Sequence, residues 1–488
     1  MTEIRNELRF ILNGEDVVLG GISATRTLLD FLRLDRRMVG SKEGCAEGDC
    51  GACTVLVGRL SGDGLAYESV NACIAFVGSL DGTHVVTIEH LSAPNGPLHP
   101  VQQAMVDFHG SQCGFCTPGI VMSLYGLWMR SPSPSAGEAE VALQGNLCRC
   151  TGYSPIIRAA KALPTYGVAE RDPLKAERAS IKARLKALCD GKRVEIGEGR
   201  NRLIIPAGVD DLAELYAAEP GATLFSGSTD VGLWVTKFMR DIGPMIYIGN
   251  LPELHRIEEF GGGIRLGAAV TYTEAAGVIT THFPQLAELW YRIGGEQVRN
   301  MGTVGGNIAN GSPIGDTPPP LIVLGASIVL RKGSERREVK LKDYFIAYGK
   351  QDRQPGEFVE TISIPYLSEG EKFACYKISK RKDEDISSVC GAFRLFVNDK
   401  GSVGMARIAF GGMAATPKRA RAVEEAITGK PWNAATIEAG IAAFAADYQP
   451  IGDMRASAEY RLLAAQNLLR RFFLETIGQG ERLKREVA

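Results

Sequence analysis

The chain has 488 residues, 45% of them hydrophobic, with 55 basic side chains against 56 acidic ones. That length exceeds one ordinary core and suggests roughly three or four domains. The cancelling charges exclude the basic field that nucleic acid or an anionic membrane would call for. No apolar run reaches the ~20 residues needed to span a bilayer, and the opening MTEIRNELRFILNGEDVV lacks the apolar core of a signal peptide. The expectation is a cytoplasmic protein, in which eleven cysteines serve as metal ligands, catalytic groups or buried apolar residues rather than bridges.

Near the N-terminus, LRFILNGEDVVL alternates apolar and polar residues around Asn13-Gly14, which predicts a hairpin. TRTLLDFLRL reads as a short amphipathic helix, and CTVLVG and HVVTIEHL read as strands. Between these elements lie Cys45, Cys50 and Cys53, with Cys73 nineteen intervening residues later. Gaps of four and two followed by a distant fourth cysteine are the spacing of a plant-type 2Fe-2S loop. Gly44, Gly48 and Gly51 suit a loop that bends tightly around an anionic cluster and aims backbone N–H groups at its sulfurs. Zinc is the rival, since four thiolates also make a structural zinc site, although zinc usually takes two close pairs of cysteines.

A second set follows in QCGFC and LCRCTGY: Cys113, Cys116, Cys148 and Cys150. A single residue between the last two fits tetrahedral zinc poorly. The surroundings are helical. Thr117-Pro118 is expected to cap and start the helix holding IVMSLYGLWM, and Ser154-Pro155 the helix holding IIRAAKAL. The ligands would then sit just before helix N-termini, where the partial positive charge favours thiolate and a negative cluster.

A plant-type loop followed by CGFC and CRCTGY in a helical domain resembles the iron–sulfur portion of the molybdenum hydroxylases, the xanthine dehydrogenase family, over residues 5 to about 163. The resemblance implies two 2Fe-2S clusters held by Cys45, Cys50, Cys53 and Cys73, and by Cys113, Cys116, Cys148 and Cys150. It implies a ferredoxin-like β-grasp domain followed by a helical four-helix-bundle domain. It also places Gln112 and Cys150 close to a molybdopterin, with the ferredoxin-like cluster standing between the helical-domain cluster and a flavin.

Residues 164–197 are highly charged with a thin apolar stripe, and read as a linker with one helical patch, in which Cys189 is an incidental thiol. Beyond them an α+β pattern resumes: DDLAELYAA as helix, ATLF as strand, then SGSTDVGLWVTKF and glycine-rich strands such as GGGIRLGAAVTY. Neither a G-x-G-x-x-G turn nor a Walker loop is present, so a Rossmann site is a poor reading. Two other glycine-rich segments, LFSGSTDVG and GTVGGNIANGSPIGD, combine small residues with hydroxyls and amides, which lets backbone approach a pyrophosphate.

Both segments resemble the flavin-binding loops of the same family, whose FAD domain has the vanillyl alcohol oxidase-like fold. The resemblance implies that Leu224, Phe225, Ser226, Gly227, Ser228, Thr229, Asp230 and Val231 form the loop around the FAD pyrophosphate. Thr303, Gly306, Asn307 and Asp316 belong to the second loop, Val359 to the flavin cleft, and Lys377 to the neighbourhood of the isoalloxazine. SKRKDEDI, with Arg381 and Glu384, resembles a loop on the NAD side of the flavin; from the residues alone it reads as a solvated turn. Ile293 stands where some relatives place an aromatic ring against the flavin, with Trp290 and Tyr291 beside it. FGGMAATPKRARAVEEAITGKPW resembles the family's C-terminal flavoprotein subdomain, extending the match to about residue 475.

The expected fold class is therefore multidomain α+β: 1–91 ferredoxin-like, 92–163 helical, 164–197 linker, 198–370 FAD-binding, and 371–488 C-terminal flavoprotein subdomain. The resemblance further implies electron passage from a large molybdopterin-bearing partner subunit, in a heterotetramer of two small and two large subunits, through the clusters to FAD and NAD+. The substrate site, and with it any catalytic residue for purine hydroxylation, is then expected on the partner. An aldehyde or N-heterocycle as substrate with another acceptor, and a redox sensor without turnover, are the competing readings.

Overall fold

The computed structural model describes residues 3–62, 64–92 and 95–480. The predicted hairpin is present: Leu8–Leu12 pairs antiparallel with Glu15–Leu19 across Asn13, whose φ of 55° is the left-handed conformation such a turn requires. These strands join His84–Val86, Thr54–Ser61 and Gly64–Asn71 in a five-stranded sheet. The expected strand HVVTIEHL is shorter than the pattern suggested, ending at Val86 and passing into a 3-10 turn at Ile88–His90.

Both faces of this sheet are covered. Side chains alternate along a strand: Val55 and Val57 enter one core with Leu28, Phe31 and Phe76, while Leu56 and Ile11 enter another with Tyr125 and Trp128. The first core continues into the flavin-type region through Leu203, Phe225 and Met245, and the Phe76 and Phe225 rings meet edge to face at 5.5 Å. The second is shared with four helices, Pro100–Asp107, Thr117–Arg130, Ala136–Ala142 and Ser154–Ala162.

The helical patch expected within a linker is a helix docked on the fold. Pro173–Leu188 buries Leu174, Ile181 and Leu185 in the second core. Its N-cap Asp172 is buried, accepting from Tyr125 Oη at 2.7 Å and lying 2.9 Å from His99 Nε2. The thin stripe suffices because it faces an existing apolar surface rather than having to build one.

The flavin-type region contains two five-stranded sheets. One runs Ile4–Arg5, Arg193–Ile196, Leu203–Ile205, Met245–Tyr247, Thr223–Phe225, so its edge strand comes from the chain's beginning. The other runs Ile257–Phe260, Gly263–Gly267, Phe358–Pro365, Ser327–Lys332, Glu335–Lys340. The C-terminal part is a four-stranded antiparallel sheet beginning at Lys372–Ile378 and Val389–Val397, packed on Ala434–Asp447 and Ala458–Thr476 around Phe393, Phe410, Phe444 and Phe472. Among the described residues no helix is long and apolar enough to cross a membrane.

Candidate functional site

Two cysteine groups and one cavity make up the site. In the first group, Cys45 Sγ accepts backbone N–H groups from Glu47, Asp49 and Cys50, each at 3.4 Å. The loop can present three donors because Ala46 and Gly48 adopt positive φ, of 54° and 81°. Hydrogen bonds from the Cys50 and Cys73 thiols, helped by those N–H groups, hold the Cys45 thiol far below its ordinary range. Cys50 and Cys73 are driven upward, chiefly because their protons are shared with Cys45. The four sulfurs thus form a chain of contacts. Among the described residues no group of three His, Cys, Asp or Glu side chains is arranged to hold a single metal ion.

In the second group the cysteines meet as two pairs, Cys113 with Cys150 and Cys116 with Cys148. Cys116 is the N-cap residue of Thr117–Arg130, and Tyr153 that of Ser154–Ala162, neither making a side-chain cap bond. The expected caps Thr117 and Ser154 are instead the first helical residues. Thr117 turns its hydroxyl to Ser111 at 2.7 Å, and Pro118 and Pro155 take positions where no N–H is needed. Burial opposes ionisation of Cys148, but hydrogen bonds from Thr151, whose hydroxyl is 3.1 Å away, from the Cys150 backbone and from Cys116 together outweigh it and lower its pKa. Gln112, Cys113 and Cys150 are exposed, in the company of Phe115 and Tyr153.

The cavity, about 400 Å³, lies between the two glycine-rich segments. Its wall includes all of Leu224 to Val231, and Thr303, Gly306, Asn307 and Val359. Ser228 is buried with φ of 53°. A Cβ on Gly227 would collide with the Met301 carbonyl, so the segments touch backbone to backbone. Thr303 caps its helix by accepting from Gly306 N at 3.0 Å. Burial raises the Asp230 pKa. Asn307 Oδ1, on the cavity wall, is buried without a hydrogen-bond partner. Tyr216, Trp234, Arg353 and Phe358 also line it and were missed in the sequence, because they come from separate helices, strands and loops with no motif to flag them.

Three expected residues do not line this cavity. Asp316 and the buried Lys377 form a largely enclosed ion pair at 2.6 Å; Ser387 Oγ donates to Asp316, and Lys377 Nζ donates to the Arg292 carbonyl next to Ile293. Ile293 is half-buried against the main flavin-domain core. Trp290 cannot take the place of the missing ring, being buried with its Nε1 donating to the Tyr272 carbonyl at 2.8 Å. Tyr291 remains exposed.

The loop carrying Arg381 and Glu384 is not the solvated turn its composition suggests. Glu384 is buried, with φ of 49° and an unpartnered Oε2. Its other carboxylate oxygen lies where a Cβ on Gly295 would sit, and Gly295 itself abuts Gly145 of the helical domain. Burial, then repulsion from Asp49, pushes its pKa up to about 9. Arg381 lies 3.8 Å from Asp49, which turns the loop toward the first cysteine loop.

Four family profiles match in chain order: "2Fe-2S iron-sulfur cluster binding domain" over residues 10–78, "[2Fe-2S] binding domain" over 87–161, "FAD binding domain in molybdopterin dehydrogenase" over 198–367, and "CO dehydrogenase flavoprotein C-terminal domain" over 374–476. The chain fits the iron–sulfur and FAD subunit of the molybdenum hydroxylase family. Xanthine dehydrogenase of Emericella nidulans is 32% identical over 97% of the chain, and xanthine dehydrogenase/oxidase of Rattus norvegicus likewise 32% over 97%. The chain spans 39% of the length of each. Among solved structures, carbon monoxide dehydrogenase from Hydrogenophaga pseudoflava aligns with a TM-score of 0.53 and 27% identity, over 57% of this chain and 97% of that one. Quinoline 2-oxidoreductase from Pseudomonas putida 86, 24% identical over 57% of this chain and 97% of that one with a TM-score of 0.51, shares the fold.

Proposed function

We propose that this chain is the electron-relay subunit of a xanthine dehydrogenase. In this reading a molybdopterin-bearing large subunit oxidises hypoxanthine and xanthine to urate, and electrons leave through this chain to NAD+. The observation that carries it is the contact between the parts of the site: the second cysteine group meets the first through Leu147 N and the Cys50 carbonyl at 3.0 Å, and Ile74, next to Cys73, packs on Gly232 between the cavity-wall residues Val231 and Trp234. The relatives matched over nearly the whole chain are named xanthine dehydrogenases.

The residues fit the groups this reading requires. Eight cysteines in two groups, with three N–H donors on Cys45, are the donor set of two 2Fe-2S clusters. The close backbones at Gly227 leave a cradle suited to the diphosphate of FAD, and the unpartnered acceptor Asn307 Oδ1 suits one of the cofactor's hydroxyl or amino donors. When bound, the clusters carry electrons singly and FAD collects them in pairs for a two-electron acceptor. The chain's part is to bind and orient: thiolates and backbone N–H groups hold the negative clusters, and Leu224 to Val231 wrap one end of the flavin. Ile293, Asp316 and Lys377 are assigned to its ring end. Gln112 and Cys150, on the exposed edge with Phe115 and Tyr153, face the large subunit and its molybdopterin. The heterotetramer and the domain limits given above belong to the same reading.

Its test begins with iron, acid-labile sulfide and flavin measured on one anaerobic sample; near four, four and one per chain are expected, each approximate, whereas colourless, zinc-loaded protein would overturn it. The acceptor is tested on the complex with its large subunit: xanthine should reduce NAD+. The carbon monoxide dehydrogenase profile over 374–476 favours a second reading, a related hydroxylase with a different substrate and acceptor. Turnover of another substrate with negligible NAD+ reduction would select it.

A further inference from the structure

Gln297, on the short helix Glu296–Met301, is fully buried and reaches out of the flavin-type domain. Its Nε2, with two hydrogens to give, lies within donating distance of three acceptors: Thr54 Oγ1 at 3.1 Å, Ser123 Oγ at 3.2 Å and Asn146 Oδ1 at 2.9 Å. Each partner is tied to a different cysteine loop. Thr54 follows Cys53, Asn146 lies two residues before Cys148, and Ser123 is on the helix that starts at Cys116.

The acceptors are themselves joined. Ser123 Oγ donates to Asn146 Oδ1 at 2.7 Å, Asn146 Nδ2 donates to the Gly51 carbonyl at 3.1 Å, and Thr54 Oγ1 donates to that same carbonyl at 2.6 Å. A Cβ on Gly145 would strike the Gln297 amide, and one on Gly51 would strike the Gly145 carbonyl. The three domains therefore close on one amide with no slack. Removing it would leave Ser123 Oγ with no donor, Thr54 Oγ1 with only Asn146 Nδ2 at 3.3 Å and Asn146 Oδ1 with only the Ser123 hydroxyl, in a buried place where lost partners are costly.

We infer that Gln297 is a positioning residue that fixes the separation of the two cysteine groups, so that the flavin-type domain sets the geometry of a relay in which it supplies no ligand. The inference rests on the function proposed above. Passage between the groups moves one electron from one to the other and no atom or proton, so what Gln297 controls is distance.

The test is the full chain, loaded and fully reduced, compared with Gln297→Met, which keeps volume but has no donor, and with Ser123→Ala, a milder change in the same network. Tyr376→Phe, which loses a hydroxyl bonded to Glu475 at 2.7 Å in the C-terminal subdomain, is the control for general destabilisation. Low-temperature electron paramagnetic resonance reads the magnetic interaction between the two iron–sulfur centres, independently of turnover. The expected result is a shifted interaction in Gln297→Met, a smaller shift in Ser123→Ala and none in the control, at wild-type iron and flavin content. An unchanged interaction in the loaded variants, or none in the wild type, overturns the inference and leaves the proposed function standing. Wild-type chain without iron overturns both. If Gln297→Met does not load, Ser123→Ala decides.

Discussion

The backbone N–H of Leu147 donates to the carbonyl of Cys50 at 3.0 Å. Cys50 belongs to the first cysteine group and Leu147 directly precedes Cys148 of the second, so the groups are joined main chain to main chain. Each is nonetheless built on its own elements, a loop leading into a sheet strand in one case and two helix starts in the other. Cys73→Ser should therefore cost one centre and spare the other, lowering iron from about four to about two per chain. Iron and sulfide analysis checks this; complete loss of iron would show that the two loops fold as one.

The glycine contact between the flavin-side segments gives a second expectation. Gly227→Ala pushes a Cβ into the Met301 carbonyl, and backbone cannot yield as a flexible side chain can. Flavin content, read from visible absorbance per chain, should fall severalfold while both iron–sulfur centres are retained. Normal flavin content in this variant would mean that the segments separate without cost to the site.

Lys377 is buried and its partner Asp316 nearly so, their side chains 3% and 10% exposed. Truncating one member of such a pair strands the other charge and costs about 3–5 kcal/mol. Lys377→Met should accordingly lower the denaturation midpoint sharply, and the double variant Lys377→Met, Asp316→Leu should recover much of the loss. Equal midpoints for wild type and Lys377→Met would contradict the pairing.

Glu384 makes stability depend on pH. Its folded pKa of about 9 lies above the ordinary 4.5, chiefly through burial and then Asp49, so between those values the folded chain holds a proton that the unfolded chain has released. Its contribution is fully present in acid below the unfolded pKa, and declines as pH rises toward and through the folded one. Thermal midpoints of wild type should drop from about pH 6 to about pH 8.5, and Glu384→Gln should drop less. Parallel profiles for the two proteins would refute the burial of this carboxyl.

The local chemistry was legible because it is written in short spacings. The cysteine gaps, the Asn13-Gly14 turn and the two small-residue segments are dictated by ligand reach and backbone freedom over a few residues. Leu224 to Val231, Thr303, Gly306, Asn307 and Val359 accordingly fall on one cavity. Arg353 and Tyr216 were illegible because each reaches that cavity from an element with its own local purpose.

By itself the sequence determined which residues could hold a cluster or approach a diphosphate, since those demands concern neighbouring atoms on one stretch of chain. Tertiary structure alone decided what covers each face. It put Ile4–Arg5 on the edge of a sheet whose next strand begins at Arg193, docked the charged helix Pro173–Leu188 onto an apolar surface, and buried Gln297 and Glu384 at domain junctions. The physical reason is that periodicity states that a side must be buried, whereas its partner is set by shape and unpaired donors on segments far away in the chain.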